Sequence, residues 1–155
     1  MQYAFRTILA VYMVIGGMFL VIKGYQLNRD TDSWIDRSQV AADREDMIEY
    51  LGHLKMNMEG LGMTHGHTAL LFKTPINDMA LHYKAVNRLL ERLEQIKDIP
   101  KSDTAYQVAL DDIRGTIREL PNPARGWLWV KYTWWMTLIG VMLGLAAFAE
   151  YVKEG

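Results

Sequence analysis

Apolar residues are packed almost without interruption near both ends of this chain, and between those ends they recur at helical spacing among charges. Residues 127–151 read WLWVKYTWWMTLIGVMLGLAAFAEY, and the 18 residues between Lys131 and Glu150 carry no charge. At about 1.5 Å per residue such a helix covers roughly 27 Å, close to the thickness of a hydrocarbon core. Trp127, Trp129, Tyr132, Trp134 and Trp135 crowd its start, where amphipathic rings settle at the headgroups, and Tyr151 and Lys153 mark its other end. Nearer the N-terminus, Arg6 and Lys23 bracket 16 uncharged residues, TILAVYMVIGGMFLVI. Tyr3, Ala4 and Phe5 extend that stretch on one side, while Lys23 can snorkel and Gly24, Tyr25 and Leu27 continue it on the other. No small-x-small cleavage pattern follows, so the stretch reads as an uncleaved first span and not as a signal peptide.

The middle of the chain changes period. Residues 28–33, NRDTDS, form a polar break in which Ser33 and Asp36 have capping-box spacing, with Asp in place of Glu or Gln; the alternative is that the first helix runs on. Val40, Met47, Leu51, Leu54, Met58 and Leu61 then step by seven, four, three, four and three, a heptad seam that Gly60 and Gly62 end. Residues 62–73 are a connection. Thr74-Pro75 restarts a helix as cap and first helical residue. Its seam is Ile76, Met79, Tyr83, Val86, Leu90 and Leu93, widened by Leu89 and Ile96 and stopped at Asp98-Ile99-Pro100. Ser102 or Asp103 caps a third helix with the stripe Tyr106, Ala109, Leu110, Ile113, Ile117 and Leu120, which Pro121-Asn122-Pro123 ends. No segment alternates with the period of a strand. The expected architecture is an all-α integral membrane protein. A first transmembrane helix occupies 1–27 and a second, with a short tail, 127–155. Between them, 28–126 forms an extramembrane domain of three amphipathic helices, a helical bundle or a coiled-coil-like assembly.

Composition narrows the function classes. A net charge of −1 leaves no electrostatic footprint for nucleic acid. The absence of cysteine excludes disulfides, thiolate metal sites and thiol nucleophiles. Gly-x-Ser-x-Gly, His-Glu-x-x-His, a phosphate-binding Gly-rich loop and Glu-x-x-His are all missing, and the spans hold no ionisable pathway. Asp43, Arg44, Glu45, Asp46 and Glu49, like Arg88, Glu91, Arg92 and Glu94, read as solvated helix faces. No enzyme is expected. Basic residues flanking the middle domain (Lys23, Arg29, Arg125, Lys131) would place it in the cytoplasm. That loop is longer than the roughly 60 residues over which the positive-inside rule holds, and a short-tailed, two-span plan favours the extracytoplasmic side.

Candidate chemistry lies in KMNMEGLGMTHGHT, residues 55–68. Thioether and imidazole together suit copper, and Met63, His65 and His67 in a glycine-containing loop are the candidate ligands; Met56 and Met58 point to different helix faces. His53 and His82 would lie at similar heights if the first two domain helices fold back on each other, as a metal pair or a pH-sensitive contact. The leading reading is a non-catalytic accessory or structural subunit of a membrane complex, in contact with lipid and with other subunits or further copies of itself. Its interaction residues would be Met79, Tyr83, Val86, Leu90 and Leu93 on the second seam, and Gly140 and Gly144, whose spacing lets spans approach closely. No cofactor is expected under that reading. The alternative is a copper-binding accessory protein using loop 56–67. A further alternative is a two-span sensory module with the layout of a chemoreceptor's ligand-binding half, signalling through a partner because only a short tail follows the second span. An oligomeric pore is disfavoured by the uniformly apolar spans.

Overall fold

The computed structural model describes residues 2–154, with side chains described for 7–149 and for Val152. Arg6, Tyr151 and Lys153, taken above as flanks of the spans, lie outside the described residues in that sense. The order of helices is α1 (Gln2–Asp30), α2 (Asp32–Gln39), α3 (Arg44–Gly60), α4 (Met79–Gln95), α5 (Thr104–Arg118), α6 (Ala124–Leu128) and α7 (Trp134–Glu154). A 3-10 turn at Pro75–Asn77 precedes α4, and a π turn at Trp129–Thr133 joins α6 to α7 without breaking the helix. Among the described residues there is no strand, only an isolated bridge between His67 and Asp78. Two helices, Thr7–Gln39 and Ala124–Ala149, are long and apolar enough to cross a membrane.

The polar stretch 28–33 does not separate two helices by a loop. Thr31 N still donates to Leu27 O at 2.9 Å and Ile35 N to Thr31 O at 3.3 Å, so the backbone ladder of α1 passes into α2 through a single distorted residue. Ser33 lies inside α2 and its hydroxyl donates to Arg29 O, instead of capping a new helix. The break comes later, at 40–43, where Asp43 takes an extended backbone and accepts a hydrogen bond from Asp46 N at 3.1 Å. The domain is therefore built from four helices, α2 to α5, where three were expected. Val40 is consequently exposed and leaves the first seam, while Met47, Leu51, Leu54 and Met58 are fully buried.

Each remaining helix end has a local cause. Gly62 has a positive φ of 71°. With it there, Gly62 N reaches Glu59 O at 3.1 Å and Met63 N reaches Met58 O at 2.7 Å, a Schellman closure that brings Met63 onto Met58 in the core. Asp78, not Thr74, caps α4 through Ala80 N at 2.9 Å, so Pro75 opens only the 3-10 turn and Ile76 stands exposed before the helix begins. Asp103 caps α5 through Ala105 N at 2.9 Å.

The four domain helices share one core. α2 packs on α3 and α5, α3 on α4, and α4 on α5. Met79, Val86, Leu89 and Leu93 of α4 are buried in it, and Tyr83 and Leu90 flank it half-buried, so the stripe of α4 turns slightly towards Leu89. Tyr106, Leu110, Ile113 and Ile117 complete it from α5 as the third stripe predicts. Polar contacts fix the α2–α3 turn: Arg114 donates to Ala41 O at 2.8 Å, and Arg44 N donates to the Tyr106 hydroxyl at 3.0 Å.

At that end Lys101 lies 2.8 Å from Asp43 and 2.7 Å from Glu45. Hydrogen bonding to Lys101 holds both carboxyls below their ordinary range, and the same bonds hold the lysine above its own. A lowered folded pKa means that these acids stabilise the fold above the ordinary carboxylate value of about 4 and that the contribution is lost as pH falls through the lowered values. Lys101→Met is expected to raise the NMR titration midpoints of Asp43 and Glu45; unchanged midpoints would show that the ammonium is not their cause. For the core, Leu93→Ala should cost about 2–5 kcal/mol in denaturant unfolding. Half-buried Leu90→Ala should cost less than half as much, and equal losses would contradict the turned stripe.

Candidate functional site at the junction of the long helices

The two long apolar helices meet the domain at one junction, and a buried carboxylate organises it. Asp32 begins α2 directly after the distorted Thr31, and both side chains are buried. The one proton of the Thr31 hydroxyl points to Leu27 O at 2.7 Å and is shared with Asp32 Oδ1 at 3.2 Å. The same Oδ1 accepts from Ala124 N at 3.2 Å. Ala124 is the first residue of α6, where the N–H has no intrahelical partner and the helix dipole favours a negative charge. Asp32, placed by the first long helix, thus caps the second.

Around this cap the chain approaches itself closely. A Cβ on Gly126 would stand 2.7 Å from Thr68 Cβ and 3.2 Å from Thr68 O, so only glycine lets the α3–α4 connection lie against α6. Trp127 is buried in the domain core with Lys131 Nζ 5.9 Å from its ring centroid. This corrects its expected place among the ring of interfacial aromatics: the helix enters the domain a turn before its apolar stretch begins. A cavity of about 220 Å³ opens beside the cap, lined by Gly24, Asn28, Asp32, Ala124, Arg125 and Leu128.

Beyond the junction α1 and α7 pair. The Tyr12 hydroxyl donates to Met136 O at 2.6 Å, and Phe19 meets Tyr132 edge-on with centroids 5.8 Å apart. Gly140 faces Tyr12, whose Cε1 is 3.4 Å from where a Cβ would stand, whereas Gly144 has nothing within 4 Å of that position. Gly16 and Gly24 face Met136 and Leu128 in the same way, and Gly17 is open. A groove of about 550 Å³ runs between the helices, lined almost wholly by apolar side chains including Leu9, Met13 and Val141.

The other candidates differ in burial and partners. Met63 is fully buried against the core, His65 is exposed with its Nδ1 3.1 Å from the Thr64 hydroxyl, and His67 is half-buried at the bridge to Asp78. Among the described residues no three His, Asp or Glu side chains gather as metal ligands. His53 stacks on Trp34 at 4.5 Å between centroids, and His82 hydrogen-bonds Ile76 O through Nε2 at 2.7 Å, so each meets a local partner and not the other. Met79, Val86 and Leu93 are enclosed in the chain's own core, and Tyr83 reaches the Glu59 carboxylate, which pushes its phenol up. Asp32 and Thr68 were not among the residues singled out from sequence; their partners are a backbone N–H and a glycine, which leave no side-chain pattern. The chain matches no family model, no curated protein and no solved structure.

Asp32→Ala removes the acceptor of a buried N–H and should cost about 1–3 kcal/mol in unfolding in mild detergent. Asp32→Asn keeps an acceptor and loses only the charge on the helix dipole, so its cost should be the smaller one. Two variants as stable as the parent would remove the cap from its central place.

Proposed function

We propose that the chain is a two-pass integral membrane protein serving as a non-catalytic subunit of a larger membrane assembly. The observation that carries this reading is the outer surface of α1 from Ile8 to Ile22 and of α7 from Trp135 to Phe148, which is apolar and left uncovered by the domain. In water such a surface is unfavourable; in a hydrocarbon core it needs no cover. The domain's seams are filled from within the chain, so they hold the domain together, and lateral assembly falls to the spans. Gly140 serves the pairing of α1 with α7 inside the chain. Gly144, one helical turn further and open, offers a close approach to a helix from another chain.

Native mass spectrometry of the protein, extracted from its own membrane in mild detergent, tests this reading. Mass from other chains at a fixed ratio is expected, and Gly144→Leu should lower the assembled fraction while leaving the monomer folded. Recovery without detergent in the soluble fraction, or a monomer under the mildest extraction, would overturn it.

A further inference from the structure

The connection between α3 and α4 holds apolar side chains outward on a built scaffold. Leu71 is 84 % exposed, Phe72 83 % and Ile76 76 %. The backbone beneath them is tied down by Asn77. Its Nδ2 donates to Phe72 O at 2.7 Å, its Oδ1 accepts from Thr74 N at 3.1 Å, and its carbonyl accepts from Thr68 N at 2.8 Å. Met79 N closes the loop onto Gly66 O at 2.9 Å. Exposure of these side chains is therefore set by the structure of the loop. Large apolar groups fixed in that position mark a surface that something covers.

The position of the loop says what covers it. Thr68 rests on Gly126, just ahead of the apolar stretch of the second long helix. Asn57, near the end of α3, donates to Asp30 O at 2.7 Å, at the end of α1. The loop thus shares its end of the domain with both places where the long helices leave it, while Lys101 and its carboxylates hold the opposite end. Phe72 is four residues from Thr68, within roughly 14 Å of chain. Lys73 follows, exposed and able to meet phosphate headgroups.

We infer that Leu71, Phe72 and Ile76 insert into the interfacial layer of the bilayer that the two spans cross, a third attachment that sets the height and tilt of the domain. The inference rests on the membrane-spanning reading of α1 and α7. Lipid is the occupant because the Thr68–Gly126 and Asn57–Asp30 contacts hold this loop at the end of the domain where both long helices leave it, and the basic residue beside it complements anionic headgroups. Insertion of this kind buries side chains about 5–10 Å into the boundary between headgroups and acyl chains.

The chain has no cysteine, so single-cysteine labelling has no background. Phe72→Cys and Leu71→Cys, with Val108→Cys on the outside of α5 and Val141→Cys in α7 as references, are spin-labelled and reconstituted in phosphatidylcholine–phosphatidylglycerol vesicles. Collision with oxygen is compared with collision with a water-soluble nickel complex. Labels at 71 and 72 should favour oxygen over the nickel complex, at a depth between an aqueous Val108 and a deep Val141. If 71 and 72 behave as Val108 does while Val141 is deep, the loop inference fails and the spanning reading stands. If Val141 is aqueous as well, the spanning reading fails and takes the inference with it. Shielding of 71 and 72 from both reagents would overturn the inference in favour of a protein partner.

Discussion

The hydrogen bond from Ala124 N to Asp32 joins residues 92 positions apart in the chain and sits where α1 and α2 meet α6. It satisfies the first free N–H of the helix that becomes α7, and it does so from the first turn after α1. Among the described residues the two long apolar helices are otherwise held in register by apolar packing, the Phe19–Tyr132 ring contact and the Tyr12–Met136 bond. A carboxylate is suited to this place because it accepts more than one donor and matches the positive end of the helix dipole. Thr31 completes the arrangement with its one hydroxyl proton, shared between Leu27 O and the same carboxylate oxygen. The burial of both residues follows from the packing of α2 against α3 and α5, so the cap depends on the domain as much as the domain depends on the cap.

The helical class, the two apolar stretches and most of the core were legible as periodicity. Met47, Leu51, Leu54 and Met58, and Tyr106, Leu110, Ile113 and Ile117, are buried because a 3.6-residue period has a single physical reading over that length. The misplacements have a common origin. Val40 to Met47 is a seven-residue step, and a step of two turns passes over a break without disturbing the register, which concealed the turn at 40–43. Ile76 continued the second seam on paper, but Asp78 is the stronger cap and starts the helix after it. Leu90 and Leu89 are neighbours on one stripe, and small rotations of the helix decide which faces inward.

The junction was illegible for a different reason. A buried Asp looks in sequence like any charge on a helix face, since its partner is a backbone group. Thr68 against Gly126 is a contact defined by an absent side chain. The α3–α4 connection carries ligand-type side chains at Met63, His65 and His67, whereas Leu71 and Phe72 stand outside any helical period and have no pattern that marks them as exposed. In the fold Met63 follows the Schellman turn that closes α3, a position where a buried apolar residue commonly packs back on the helix.

Apolar residues in this chain therefore do two separable jobs. One set is enclosed by α2 to α5 and is satisfied within the chain. The other lies on α1 and α7 and reappears on the α3–α4 loop, where it is exposed among the described residues. Had the second set been confined to the long helices, a solvent of low polarity around those helices alone would account for it. Its reappearance beside Gly126, on a loop held rigid by Asn77, extends the same demand to the face of the domain nearest those helices. Asp32 ties the start of α2 to the start of α6 through Ala124 N. The buried cap and the exposed loop are thus linked, since Gly126, on which Thr68 of the loop rests, follows the capped Ala124 by two residues.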